Sequence, residues 1–177
     1  MALPHRDASE REAKALAHPL RLRILSLLTG ASMTAAEVAR ELGTTHANAS
    51  YHLRQLADAG EIAVVSRENI RGGKAKRYRY TPPPEYPPPA VPRDHRIVHA
   101  AAIEELRRRS GLFQPGPGNR TSDAELWVDE QAWADAVEAI QRATRQLHDA
   151  AQPPHSAGTK RVSMTIALFE MRDEDLG

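Results

Sequence analysis

Residues 34–60, TAAEVARELGTTHANASYHLRQLADAG, carry the strongest local structural signals in the chain. Thr34 followed three residues later by Glu37 forms a capping box, and this pairing predicts that a helix begins there. Val38 and Leu42 then lie on one apolar side of that helix. Gly43 predicts its end after about nine residues, because glycine readily adopts the left-handed conformation that terminates helices.

The second half of this stretch predicts another helix, over residues 45–59. Thr44 or Thr45 can provide its N-cap, and Gly60 ends it. One side of this helix is predicted to pack inward, and it carries Ala49, His52, Leu53 and Leu56. His52 is therefore interpreted as a packing residue. Two short helices joined by a tight turn with a glycine are typical of a helix-turn-helix.

The opposite side of the 45–59 helix is almost entirely composed of hydrogen-bonding residues. The DNA major groove admits one helix, and it favours Asn or Gln against adenine and Arg against guanine. Asn48, Arg54 and Gln55 have the reach to contact base edges, whereas Thr44, Thr45 and Ser50 suit phosphates. His46 and Tyr51 can do either. Because a polar helix face is usually just solvated, this hypothesis depends on the neighbouring elements.

The neighbouring elements complete the predicted N-terminal domain. Residues 7–17 and 19–30 predict two helices, the second starting at Pro19 and carrying an apolar stripe that ends at Gly30. That stripe consists of Leu20, Ile24, Leu27 and Leu28. After Gly60, two β-rich segments flank the glycines at 72 and 73 and predict a hairpin.

This hairpin is basic and is interpreted as a wing over residues 70–77. Tyr78 and Tyr80 share one face and are predicted to enter the core, while Arg77 and Arg79 share the other face. Arg71 and Lys74 are predicted to enter or straddle the minor groove, with Lys76 and Arg77 on phosphates.

The charge distribution supports a polyanion partner for the first part of the chain. Residues 1–81 carry 13 Lys and Arg against 8 Asp and Glu, whereas residues 82–177 carry 11 against 15. A basic half favours nucleic acid, and an acidic half is better suited to protein or small-ligand contacts. The absence of cysteine excludes disulfides, thiolate metal sites and cysteine nucleophiles. The sequence contains no catalytic motif such as G-x-S-x-G or H-E-x-x-H, and we predict a protein that is not an enzyme and needs no cofactor.

The C-terminal half of the chain is separated from the predicted DNA-binding part by a proline-rich segment, TPPPEYPPPAVP, at residues 81–92. Prolines lack amide donors, and this composition predicts a semi-rigid spacer between two units. We therefore expect an α+β protein with a DNA-binding domain at 1–82, a linker at 83–92 and a small α/β dimerisation or effector region at 93–177. The predicted elements of that last region are helices at 93–110 and 130–151 and strands at 124–128 and 161–171.

Two properties of the C-terminal region remain alternatives at this point. Phe113, Trp127 and Trp133 are candidates for the wall of a pocket that binds a small apolar or aromatic effector. The other interpretation is that the tryptophans fill a small core and that the region only holds a dimer together. No segment has the length and apolarity of a membrane span or a secretion signal, so a cytoplasmic location is expected.

Residues 8–82 resemble the winged helix-turn-helix of ArsR-type transcriptional regulators. The resemblance is carried by three segments: AHPLRLRILSLL, MTAAEVARELGTTHANASYHLRQLADAGEI and RGGKAKRYRYTP. The second half is similar to an extension found in a mainly actinobacterial subgroup of ArsR-like regulators. Metal-sensing members carry a thiolate pair that this chain lacks. A second family site, on the helix after the wing, uses oxygen and nitrogen ligands, and His95 and His99 stand one turn apart there.

The resemblance implies a DNA-binding transcriptional regulator that acts as a homodimer, with dimer contacts from the first helix and residues 93–110. We expect a repressor that binds an inverted repeat in double-stranded DNA, with residues 45–59 in the major groove. The alternatives are an architectural DNA-binding protein without an effector, a winged helix used for protein interaction, and a metal-responsive regulator that uses His95 and His99.

Overall fold

The structure is a computed structural model that describes residues 13–70, 73–80 and 96–172. It combines an N-terminal helix-turn-helix with a three-stranded antiparallel sheet and two later helices. The helices are α1 (Pro19–Gly30), α2 (Ala35–Leu42), α3 (His46–Asp58), α4 (Arg96–Ser110) and α5 (Glu130–Asp149). The strands are β1 (Met33–Thr34), β2 (Ala63–Ile70) and β3 (Gly73–Arg79). Residues 13–16 are also helical.

Helix α1 begins and ends where the sequence predicts. Pro19 occupies the first turn, where its missing N–H leaves no bond unmade. His18 caps the helix, and its Nδ1 accepts a hydrogen bond from the amide of Leu20 at 3.1 Å. Ile24 and Leu28 are completely buried and Leu20 packs against the same core, which confirms these three members of the predicted stripe. Leu25, and not the predicted Leu27, is the other α1 leucine that packs there.

The boundaries of α2 and α3 follow from local capping. The amide of Thr34 donates to Glu37 Oε2 at 2.7 Å, and the amide of Glu37 donates to Thr34 Oγ1 at 3.3 Å, so the capping box is confirmed. Gly43 has φ of +64°, a left-handed conformation that ends α2 and that glycine adopts without the backbone strain of other residues. Thr45 is the residue that caps α3. The helix-turn-helix therefore forms from signals within residues 34–60.

The core of the N-terminal domain lies where α1, α2, α3 and β3 meet. Its fully buried members are Ile24, Leu28, Val38, Ala49, Leu53 and Leu56. His52 is 6% exposed, in agreement with its interpretation as a packing residue. This packing leaves the other side of α3 facing solvent.

The sheet has the order β1, β3, β2, with both pairs antiparallel. Met33 of β1 lies opposite Tyr78, and the β2 and β3 hairpin contains an irregularity between Val64 and Ser66. Tyr78 is buried and Tyr80 packs against the core, as predicted for this face of the hairpin.

The C-terminal helices also form within a few residues of their predicted bounds. Helix α4 packs against α1 and buries Ala101 and Glu105. Helix α5 begins after Asp129, whose side chain accepts from the amide of Ala132 at 2.8 Å. None of the helices among the described residues is long and apolar enough to cross a membrane.

The prediction of strands at 124–128 and 161–171 is wrong, because both segments lie outside helix and strand. Their apolar side chains are largely exposed, with Trp127 at 86% and Val162 at 70%. An alternating apolar pattern produces a strand only where a neighbouring strand accepts its hydrogen bonds, and the described part of the chain provides none for these segments. The proline-rich segment at 81–92 lies outside the described residues.

Candidate nucleic-acid interface

Helix α3 turns one polar face to solvent. Tyr51 is 51% exposed, and His46, Arg54 and Gln55 are exposed with it. Ser50 is half-buried at the edge of this face. Because Leu53 and Leu56 are completely buried on the other side, the helix is held in one rotational setting. The predicted DNA-contacting side chains of α3 therefore lie together on one side of the domain.

The first turn of α3 is held by two threonines. Thr45 Oγ1 accepts from the amide of Asn48 at 3.2 Å, and the Asn48 side-chain amide donates to Thr44 Oγ1 at 2.9 Å. Part of the hydrogen-bonding capacity of Asn48 is thus used inside the domain. No acidic residue occupies this first turn, so the positive end of the helix dipole is uncompensated and suits a phosphate.

Two further residues share the exposed face of α3, and sequence reasoning did not select them. Ala47, four residues before Tyr51, and Asp58, seven residues after it, are both exposed. A small residue such as Ala47 allows close approach to a groove and can contact a thymine methyl group. The helical spacing from Tyr51 was the signal that could have identified both.

The hairpin presents a second polar surface. In the antiparallel register, Arg67 lies opposite Lys76 and Asn69 lies opposite Lys74. Opposed residues point to the same face of a sheet, as do residues two apart on one strand. These four exposed side chains therefore form one basic hairpin face. Arg67 was missed because its proximity to Lys76 depends on the strand register. Arg71 lies outside the described residues.

Arg77 lies on the other hairpin face and is engaged within the domain, although we expected it on DNA phosphates. Its guanidinium donates to the Ser32 carbonyl at 2.6 Å, and it pairs with Glu37 at 3.2 Å and Glu68 at 2.9 Å. The side chain is only 22% exposed. Arg77 therefore connects the hairpin to the loop before β1 and to the first turn of α2.

The charge of Glu37 is stabilised at this junction. Burial alone would raise the pKa of the Glu37 carboxyl, but hydrogen bonds from Thr34 and the charge and hydrogen bond of Arg77 outweigh burial and lower that pKa. The carboxylate consequently stays ionised near neutral pH, and both the capping box and the hairpin contact are maintained.

A pair of histidines lies beneath α3. The rings of His18 and His52 are 4.5 Å apart between centroids, and Tyr51 contacts His52 edge-on at 5.1 Å. Burial lowers the pKa of both histidines, and repulsion by Arg21 lowers both further, with His18 adding to the effect on His52. The two rings are therefore neutral at pH 7 and connect the start of α1 to the buried side of α3.

The candidate effector and metal residues belong to other segments of the chain, and the structure describes only some of them. Phe113 and Trp127 are 66% and 86% exposed, and Trp133 is half-buried on α5. An effector site at these three residues stays a prediction. His95 lies outside the described residues. The ring of His99 lies against the ring of Phe169, with 5.3 Å between the two ring centroids. Within the described ranges, no three His, Cys, Asp or Glu side chains converge as metal ligands.

Comparison with known proteins finds one match, within the N-terminal half of the chain. Residues 16–65 match a family model described as a helix-turn-helix domain. No curated protein matches the chain closely enough to count as a relative. The matched segment covers α1, α2 and α3 and the beginning of β2, and a domain of this kind supports a DNA-binding protein of the transcription-regulator type. Such domains typically bind DNA and do not catalyse reactions.

Proposed function

We propose that the protein is a sequence-specific transcriptional regulator of the ArsR type that represses by occupying an inverted-repeat operator. In this proposal α3 enters the major groove and the hairpin reaches the adjacent minor groove. The observation that carries it is the exposed polar face of α3 on a buried apolar base, within a helix-turn-helix domain.

Base recognition is assigned to the exposed long side chains of α3. Arg54 and Gln55 are adjacent, exposed and able to form the two-bond contacts that guanine and adenine favour. Asn48 keeps its carbonyl oxygen and one amide hydrogen for a base, since only one bond to Thr44 is formed. Thr44, Thr45 and Ser50 are assigned to phosphates beside the first turn.

The hairpin is assigned the sequence-independent part of binding. Arg67, Lys74 and Lys76 on the basic hairpin face supply the charges that displace counterions from the DNA backbone. Arg77 is assigned a positioning role, because its guanidinium already holds Ser32 and Glu37. Binding is expected to fall steeply as salt concentration rises.

A homodimer is part of the proposal because one recognition helix reads only a few base pairs. Two copies with half-sites about 34 Å apart read an inverted repeat with useful affinity. Exposed apolar side chains on α4 support a dimer contact there: Ile103 is 66% exposed and Leu106, one turn later, is 45% exposed. The helix that precedes α1 is the second proposed contact.

The test begins by mapping the genomic sites that the full chain occupies and deriving their common sequence. Arg54→Ala is then expected to cost roughly 1–3 kcal/mol on that sequence and little on random duplex. Lys74→Ala is expected to weaken both duplexes equally. Arg40→Ala is the matched control, because Arg40 is an exposed arginine on α2. If Arg54→Ala and Lys74→Ala weakened both duplexes alike, the protein would be an architectural DNA-binding protein and the proposal would fail.

A further inference from the structure

Helix α5 is a long helix without a core of its own. None of its 20 residues is buried, although a helix of this length in a folded domain ordinarily packs one face. Its N-cap is complete, with Asp129 accepting from Ala132, and the polar pairs Gln131 to Asp135 and Arg142 to Glu138 lie along its outside. The helix is therefore locally well formed while its apolar side is incompletely covered.

The apolar side of α5 follows a heptad pattern. Trp133, Ile140 and Leu147 recur at every seventh residue, and an alanine follows each of them three positions later, at 136, 143 and 150. This spacing of three and four is that of a coiled-coil seam. The three alanines are exposed and Leu147 is 48% exposed, whereas Trp133 and Ile140 are half-buried, so this seam is only partly covered by the rest of the chain.

The alternation of large and small residues selects an antiparallel partner with the same seam. In antiparallel pairing each large residue meets an alanine of the other helix: Trp133 meets Ala150, Ile140 meets Ala143 and Leu147 meets Ala136. Parallel pairing would instead place Trp133 on Trp133 and alanine on alanine, which leaves gaps between close-packed layers. The side-chain volumes thus fit a second copy of α5 in reverse direction.

The charges of α5 favour the same orientation. The first half, from Asp129 to Glu138, contains four acidic residues and no basic residue, whereas the second half carries Arg142, Arg145 and Asp149 and so has a net charge of +1. Parallel copies would superimpose the two acidic halves. Antiparallel copies place each acidic half beside the half with a net positive charge, and the helix dipoles then also oppose one another.

We propose that α5 pairs with α5 of a second copy of this chain as an antiparallel coiled coil centred between Ile140 and Ala143. The inference rests on the homodimer proposed above and adds a second contact to it, separate from α4. A two-fold interface of this kind uses the same patch on both copies, so its fit to itself is the property that identifies the occupant.

The native absence of cysteine allows a direct test by cross-linking single-cysteine variants of the full chain with a short bismaleimide. At about 1.5 Å of rise per residue, Ala143→Cys lies about 4.5 Å along the axis from its own copy, whereas Ala150→Cys lies about 25 Å from its own copy. Ala143→Cys is expected to cross-link efficiently and Ala150→Cys to remain monomeric on a denaturing gel. A mixture of Ala136→Cys and Ala150→Cys is expected to cross-link again.

The outcomes separate this inference from the proposed function. If Ala143→Cys and Ala150→Cys cross-linked to themselves equally, the two helices would be parallel. If no variant cross-linked, another molecule or nothing would cover the seam. Either result overturns the inference. Ile140→Glu is expected to raise the dimer dissociation constant at least tenfold in sedimentation equilibrium, with Ala134→Glu, at an exposed position outside the seam, as the control. DNA affinity is not part of these readouts, so loss of DNA binding alone would overturn only the proposed function.

Discussion

Arg77→Ala tests whether the hairpin is braced against α2 from within the domain. The substitution removes a charged hydrogen bond to the Ser32 carbonyl at 2.6 Å, which contributes about 1.5 kcal/mol. It also removes the pair with Glu37, whose side chain is 30% exposed, for about 1 kcal/mol after solvent screening. The pair with Glu68, at 46% exposure, adds at most about 0.3 kcal/mol. The free energy of unfolding is therefore expected to fall by about 2–3 kcal/mol.

Urea denaturation of the full chain, followed by circular dichroism at the helical band, measures this difference. Arg79→Ala is the control, because Arg79 is an exposed arginine on the same strand and should change stability by less than about 0.5 kcal/mol. Combining Arg77→Ala with Glu37→Gln gives a double-mutant cycle whose coupling energy is expected to be about 1 kcal/mol. If Arg77→Ala unfolded within about 0.5 kcal/mol of the unaltered chain, the bracing role would be refuted and Arg77 would be free for phosphate.

The remaining predictions concern the support of α3. The pKa values of His18 and His52 are lowered in the folded state, so the unfolded chain binds more protons as pH falls through 6.5, and stability is expected to be full above that pH and to decline below it. His18→Asn, which keeps an N-cap, combined with His52→Leu is expected to flatten this decline in urea titrations between pH 7.5 and 5; an unchanged slope would contradict the neutral pair. Thr45→Ala is expected to cost about 1 kcal/mol through loss of the α3 N-cap, while Thr45→Ser retains most of it, and equal stability of the two variants in thermal unfolding would argue against the cap.

The elements that the sequence predicts well are those whose signals lie within a few residues. The capping box of Thr34 and Glu37, the left-handed Gly43 and the Thr45 N-cap of α3 each act locally, and their helices begin and end close to the predicted residues. The apolar face of α3 was also predictable, since helical periodicity identifies it without knowledge of the partners.

The features that could not be predicted depend on residues far apart in sequence. Arg77 meets Glu37, which is 40 residues away in sequence. The alternation of the strand placed Arg77 on the side opposite Tyr78, and that pattern indicated a DNA contact instead. Arg67 joins the basic hairpin face only through the register with Lys76. The segments at 124–128 and 161–171 have strand-like patterns, but strand formation requires a partner that a pattern does not specify.

The most direct test of the proposed function is the ratio of affinities for two duplexes of equal length at one salt concentration. One duplex carries the inverted repeat derived from the mapped sites, and the other carries the same bases in scrambled order. Sequence-specific regulation through α3 predicts that the full chain binds the first at least about 10³-fold more tightly, and that Arg54→Ala reduces this ratio. Equal affinity for both duplexes would contradict the assignment of base recognition to α3.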